Sequence, residues 1–353
     1  KPTCICRWDD RLGAISMTVI LGGGGGGNTP FPTMVFQTSR TWACPMAMEA
    51  MVFVIGAGGG GGGGVGTASG SSSGAYNAVQ GGGGGGCSVS KLTLAAQNYT
   101  IVVGARGDRG VRSGSGGSTV GTAGGNSTFA GSGITTMAGN GGGAGIVSGA
   151  YGGSIGAVSG GTATGGTIAN NTGGGNAALN TERYAFSSGG GVGIWEAGED
   201  GLANPNTVNV VLQGGGPFRN RALGMTGIPS SEGGTSTNST LTGDIFNGVQ
   251  QMVRDQQGNN SGTYRYTNSV NYTGRPVALY APTNATQYRY LSGSSPFTGG
   301  AGNSNSAGTY YNYASPGVAG GGGGGANNIN SLASYGGAGG NGVIIIMPLT
   351  VGS

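Results

Sequence analysis

Glu196, Glu199 and Asp200 crowd beside Trp195, placing three carboxylates within five residues. A glycosidase pair or a Ca2+ loop needs carboxylates at spacings that this cluster lacks. The chain has no histidine, which removes the commonest general base and metal ligand and with them any Ser/His/Asp triad. Gly-x-Gly-x-x-Gly strings abound, but no Gly-Lys-Ser/Thr follows one, so a phosphate loop carries no weight. Arg106-Gly107-Asp108 spells an integrin-type tripeptide, a match that a chain this rich in glycine produces by accident. Arg106, Arg109 and Arg112 form a spaced basic cluster suited to anionic lipopolysaccharide or a neighbouring subunit. A net charge of +4 over 353 residues is too thin for nucleic acid. These residues describe a protein that is not an enzyme and that uses no cofactor and no metal.

Two sets of side chains remain. The first is Cys4, Cys6, Cys44 and Cys87, an even number in a chain poor in charge and rich in Asn, Ser and Thr. That pattern fits an oxidising exterior and two bridges, although four cysteines allow three pairings. Cysteines two apart rarely bridge each other, so Cys4 and Cys6 would reach Cys44, Cys87 or another subunit. Buried free thiols are the alternative, and a four-thiolate zinc site lacks the C-x2-C pairs it needs. The second set is Tyr264, Tyr266, Tyr272, Tyr280, Tyr288, Tyr290, Tyr310, Tyr311 and Tyr313, nine of the fourteen tyrosines. Tyrosine among Asn, Ser and Gly is the composition of adaptable binding loops, and a sugar or polar polymer suits such a face. A subunit interface and plain packing are the competing readings.

The elements that must position these side chains are unusual. Glycine supplies 87 residues, against an average near 7% of a chain, and only 7% of residues are charged. With 36% hydrophobic residues the composition is not that of a solvated tail. The longest apolar runs, 51–55 and 343–348, are far too short to cross a bilayer. The chain opens on Lys1, which reads as a processed or trimmed product. Strands are expected over 14–21, 31–42, 46–55, 91–94, 99–103 and 343–347, with a turn at Gln97-Asn98. Several run straight into glycine stretches: 22–27, 58–64 and, leading into Cys87, 81–86.

A glycine run is a poor helix and a poor strand. It can be a flexible tether, or it can pack side by side with others as extended three-fold helices joined by N–H···O=C bonds, where only a residue without Cβ lets the axes close. Bracketing strands and similar run lengths favour packing. No collagen period and no solenoid repeat is present. The expected fold is therefore mainly β and irregular: a β-strand framework holding a packed stack of polyglycine II helices, with variable loops.

Several stretches in order resemble one family. Phe36-Gln-Thr-Ser-Arg-Thr-Trp42 with Pro45, then Met51-Val-Phe-Val-Ile-Gly-Ala-Gly58, resemble the start of the glycine-rich domain of bacteriophage tail fibres and related adhesins. Tyr99-Thr-Ile-Val-Val-Gly-Ala105, Gly124-Gly-Asn-Ser-Thr-Phe129 and Gly336-Gly-Ala-Gly-Gly-Asn-Gly-Val-Ile-Ile-Ile346 resemble its later signatures. The likeness covers roughly residues 35–347, with 202–315 unlike it. It implies a virion attachment protein whose polyglycine helices display loops to a bacterial surface; the family also occurs in bacterial surface proteins. Cys44, Cys87 and the Cys4/Cys6 segment depart from the pattern and favour a secreted subunit.

The expected organisation is a strand and assembly segment over 1–34, a glycine-rich domain over 35–201, a Tyr/Asn-rich insertion over 202–315 and a closing segment over 316–353. The expected function is adhesion, as a tail fibre or receptor-binding adhesin contacting a bacterial surface. The alternative is a secreted subunit of an extracellular filament or coat, with 14–21 and 343–347 pairing across subunits. Either is extracellular, on a virion or a cell surface. The expected partners are other copies of the chain and a bacterial surface polysaccharide or outer-membrane protein, with no nucleic acid and no membrane insertion.

Overall fold

The computed structural model describes residues 32–65, 78–111, 119–148, 155–179, 185–194, 196–201, 214–215, 297, 299–300, 314, 316–317, 319–328 and 334–351, together with the backbone of short strand pairs elsewhere. The described elements are strands, without helix. An N-terminal hairpin, β1 (Thr3–Asp9) and β2 (Ala14–Ile20), forms a two-stranded antiparallel sheet of its own. Next along the chain come β3 (Met34–Phe36), β4 (Arg40–Ala43), β5 (Met48–Ile55), β6 (Gly63–Val65), β7 (Cys87–Leu94) and β8 (Asn98–Val102). They are followed by β9 (Ser127–Ala130), β10 (Met137–Gly139), β11 (Ala163–Thr164), β12 (Ala169–Asn171) and a long closing strand here called β13 (Val343–Val351).

Two five-stranded antiparallel sheets pack face to face. One has the order β12-β7-β5-β13-β3 and the other β11-β10-β9-β8-β4. The single strand expected over 31–42 is two: β3 and β4 lie in opposite sheets, and the chain changes sheet between them. Ser39 marks the crossing, its Oγ accepting the Val103 N–H at 2.9 Å. Between the sheets Phe36, Val52, Val54, Ile344 and Ile346 meet Tyr99, Ile101, Phe129 and Met137. Strand β5 alternates at its start and is buried on both faces at its end. There Phe53 and Ile55 turn away from that core into a second one with Cys87, Val89, Val192 and Val343.

Beyond the sheets the strands continue as glycine columns. Column 56–62 is the clearest. The N–H groups of residues 56, 59 and 62 donate to the carbonyls of Gly86, Gly83 and Gln80, each at 2.9 Å. Those of 57, 60 and 63 donate to Gly125, Thr122 and Thr119 at 3.0, 2.9 and 3.1 Å. Those of 58 and 61 donate to Gly340 and Gly337 at 2.9 and 2.8 Å. The carbonyls repeat the rhythm, accepting from Gly142 and Gly145, from Gly107 and Gly110, and from Gly323 and Ala326. Donor directions thus recur every third residue, and one column touches six described neighbours. A Cβ placed on Gly58, Gly59, Gly60 or Gly61 would lie 1.9–2.0 Å from a neighbour's carbonyl oxygen. Close approach, not a left-handed backbone, is what demands glycine here: positive φ is confined among the described glycines to Gly133, Gly165 and Gly320.

Where columns reach the outside, short polar side chains close the open donors. Thr122 Oγ1 accepts from Asp108 N (2.7 Å), Asn126 Oδ1 from Gly141 N (2.9 Å), and Asn341 Oδ1 from Arg106 N (3.1 Å). A buried backbone group left unpaired is costly, so these residues set where the array stops.

Candidate functional site

The columns alternate in direction. Column 56–64 leaves the sheets, 78–86 returns to them, 104–110 leaves and 119–125 returns, as the antiparallel pairs Gly59/Gly83 and Gly60/Thr122 and the parallel pairs Gly107/Gly58 and Gly142/Ala57 require. The rest of the array follows suit, so the chain crosses between described columns at the end opposite the sheets seven times: between residues 65 and 78, 111 and 119, 148 and 155, 179 and 185, 204 and 211, 305 and 312, and 328 and 334. A four-stranded sheet of Val211–Leu212, Gly302–Asn305, Ala326–Asn328 and β6 binds that far end.

This topology sorts the tyrosines. Tyr76, Tyr151, Tyr184, Tyr310 and Tyr311 lie outside the described residues, in sequence between described columns, while Tyr313 and Tyr335 are paired in register. Tyr335 is half-buried, and the Arg109 guanidinium carbon sits 5.1 Å from its ring centroid, a cation–π pair that fixes one corner of the end. Arg112 lies outside the described residues. Tyr264, Tyr266, Tyr272, Tyr280, Tyr288 and Tyr290 fall in sequence between Gly215 and Phe297. The chain leaves the array after Gly215 and rejoins it at Phe297, whose carbonyl accepts the Val192 N–H at 2.8 Å, on the sheet side. Tyr280 and Tyr290 are directly paired across two short antiparallel strands, while Tyr264, Tyr266, Tyr272 and Tyr288, with Tyr310 and Tyr311, lie outside the described residues. Within the stretch 202–315, Gly215, Gly299 and Gly300 bond into the array. Tyr335, which sequence reading did not single out, is the tyrosine whose surroundings the described residues give at that end.

The acidic cluster serves the array. Asp200 Oδ1 accepts the Gly175 N–H at 2.7 Å, and the Glu199 carbonyl accepts that of Gly191 at 2.9 Å. A shallow groove of about 370 Å³ runs past Ser159, Thr172, Asn176 and Asp200. Among the described residues no group of three or more His, Cys, Asp or Glu is placed to hold a metal ion. The Arg-Gly-Asp tripeptide is part of a column, with Gly107 N–H bonded to the Gly58 carbonyl at 2.9 Å. The described residues include no helix long and apolar enough to cross a membrane.

No protein-family model matches the chain, and no curated protein matches it.

Cys44 and Cys87, expected as bridge partners, are buried free thiols. They lie in different core clusters, so they do not join each other. Cys44 Sγ donates to the Met46 carbonyl at 3.1 Å. The side chains of Cys4 and Cys6 lie outside the described residues. Burial pushes the Cys87 thiol from 9.0 up to about 12 and raises Cys44 in the same direction. A thiolate reagent should therefore leave Cys87 unmodified in the folded chain at pH 8 and label it once denaturant is added. A raised folded-state value favours the protonated form, so this contribution to stability is complete below about pH 9 and declines as pH rises toward 12. Equal labelling rates with and without denaturant would show that Cys87 is not enclosed.

Proposed function

We propose that the protein is a non-catalytic extracellular attachment protein, a phage tail fibre or receptor-binding adhesin that presses its far end against a bacterial surface polysaccharide or outer-membrane protein. The columns are read as polyglycine II helices, and the three-residue rhythm of donors around column 56–62 supports that reading. Such a helix rises about 3.1 Å per residue, so columns of six to nine residues make a slab roughly 19–28 Å thick.

The observation that carries the proposal is the gathering of the crossings at one end. A slab bonded through its backbone in many directions is stiff, and stiff scaffolds with short variable crossings suit recognition. The crossings hold Tyr, Ser, Thr, Asn and Gly, which present aromatic area and adaptable hydrogen bonding at small entropic cost. Extended polar polymers with repeated hydroxyls are natural ligands for such a surface. The resemblance of the ordered motifs to tail-fibre glycine-rich domains points the same way.

A triple variant, Tyr76→Ala/Tyr151→Ala/Tyr184→Ala, tests this. Binding of the purified chain to bacterial cells should weaken at least about tenfold, on the order of 1.4 kcal/mol, with its thermal unfolding unchanged. Tyr264→Ala/Tyr266→Ala/Tyr272→Ala should bind like the unmodified chain. Loss of binding in the second variant and not the first would move recognition to the 216–296 excursion. Electron microscopy of the assembly gives an independent check, since long uniform filaments would oppose attachment and short capped particles would support it.

A further inference from the structure

Column 104–110 buries Gly104, Gly107 and Gly110 and exposes Ala105, Arg106, Asp108 and Arg109. Burial recurs every third residue, so Arg106 and Arg109 emerge on one side of the column, one turn apart. At the roughly 3.1 Å rise of an extended three-fold helix, their Cα atoms stand about 9 Å from each other. The neighbours show which side this is. The Arg106 N–H donates to Asn341 Oδ1 at 3.1 Å and the Arg109 guanidinium lies over the Tyr335 ring, so both arginines adjoin column 335–341. Asp108 belongs to another row: its N–H donates to Thr122 Oγ1 at 2.7 Å and its carbonyl accepts the Thr122 N–H at 2.9 Å, beside column 119–125.

Column 335–341 repeats the pattern. Gly336, Gly337, Gly339 and Gly340 are buried, Tyr335 and Ala338 are half-buried, and Asn341 is exposed. The two columns run side by side in opposite directions, with the Gly339 N–H on the Gly107 carbonyl and the Gly336 N–H on the Gly110 carbonyl, each at 2.9 Å. Their outer rows form one strip along the side of the array. Arg106 stands beside Asn341 at its sheet end, Arg109 beside Tyr335 toward the far end, and Ala338 between them in the second row. Among the described residues no ion pair engages either guanidinium, and neither row holds an acidic residue. Asn341 Oδ1 is committed to the Arg106 N–H, so what its exposed amide offers is donors. The strip is cationic, donor-rich and held in place by backbone bonds.

We infer that this strip binds a linear anionic glycan that carries one carboxylate on every second sugar. Guanidinium and carboxylate are matched planar partners that pair through two hydrogen bonds. Two sugar rings of an extended chain cover about one turn of the column, so successive carboxylates meet Arg106 and Arg109 in turn. The neutral sugar between them passes over Ala338, where only a methyl group stands. One exposed ion pair binds weakly. Two at a fixed spacing on a stiff backbone act together, because the first pairing makes the second intramolecular. A compact anion such as phosphate reaches only one arginine and gains nothing from the spacing. The strip is a side wall of the array and does not depend on recognition at the far end.

Immobilised hyaluronan, a glycan of alternating uronic and neutral sugars, is the probe for the full chain at low ionic strength. It should retain the chain where uncharged dextran does not, and inorganic phosphate should compete poorly. Arg106→Gln and Arg109→Gln should each weaken retention about tenfold. Lys91→Gln removes the same charge from β7, in the sandwich, and should leave retention unchanged. Arg109→Lys keeps the charge but loses the planar fork, so it should weaken retention as well. An equal loss in Lys91→Gln would reduce the effect to net charge, and failure of the unmodified chain to bind would remove the site; either result overturns the inference. Tyr76→Ala/Tyr151→Ala/Tyr184→Ala should bind hyaluronan like the unmodified chain, so this test and the cell-binding test fail separately.

Discussion

Replacing Gly61 by alanine is expected to abolish the folded array, although it adds one methyl group. Gly61 lies in the central column, donating to the Gly337 carbonyl at 2.8 Å and accepting from Gly110 N at 2.8 Å. Its added Cβ would stand 2.0 Å from the Gly324 oxygen. That oxygen belongs to backbone and accepts from Gly337 N, itself part of the Gly61 neighbourhood, so it cannot swing aside as a side chain would. Relief requires two columns to separate by more than an ångström, which breaks bonds above and below as well. Overpacking in ordinary cores costs about 1–3 kcal/mol, and a site with no side chain to yield belongs at or beyond the upper end. A whole domain is stable by only about 5–15 kcal/mol. The control is Gly156→Ala, where an added Cβ meets nothing within 4 Å and φ is not positive. There the change should be neutral or stabilise by about 0.4–1 kcal/mol through the unfolded chain. Denaturant midpoints of the two variants decide the matter. Similar midpoints would mean that the columns are loose enough to absorb a methyl group, and the packed array would have to be abandoned.

That contrast also shows what could be read from the residues. The strands expected over 46–55, 99–103 and 343–347 match β5, β8 and β13, because β-branched and apolar residues concentrate there beside glycine-rich stretches. The strands that bracket the runs made packing the expectation and a flexible tether the alternative, and among the described residues the runs 58–64 and 81–86 bond to neighbouring columns. Their order in space was not legible. Glycine carries no label, so nothing in 56–64 says that its neighbours are 80–86, 119–125 and 337–340; the choice is fixed by where β5, β7, β9 and β13 sit in the sheets. Cys87 misled in another way. Its parity in the sequence invited a bridge, while its place in β7 opposite Ile55 put it inside the core.

If the sheets set the order of the columns, damage to the sandwich should reach the glycines. Tyr99 is the residue on which to test this. It is fully buried, its ring lies stacked on Phe129 with centroids 5.1 Å apart, and Trp42 sits 5.7 Å away on the edge strand β4. Its hydroxyl oxygen accepts the Ala95 N–H at 2.9 Å, closing the turn between β7 and β8. Gly131 allows the ring to lie against the backbone, since a Cβ there would be 2.4 Å from Tyr99 Cδ1. Tyr99→Ala removes that ring from between two aromatic neighbours and should cost about 3–5 kcal/mol. Tyr99→Phe keeps the stack and loses one hydrogen bond, for about 1 kcal/mol. The informative readout is remote: amide exchange of glycines 56–64 and 81–86 should accelerate in Tyr99→Ala and hardly change in Tyr99→Phe. Each of those columns continues without a break into β5 or β7, so loosening the sandwich frees one end of both. Exchange unaffected by Tyr99→Ala, with the sandwich demonstrably destabilised, would mean that the glycine array holds its order by itself and that the sheets only ride on its end.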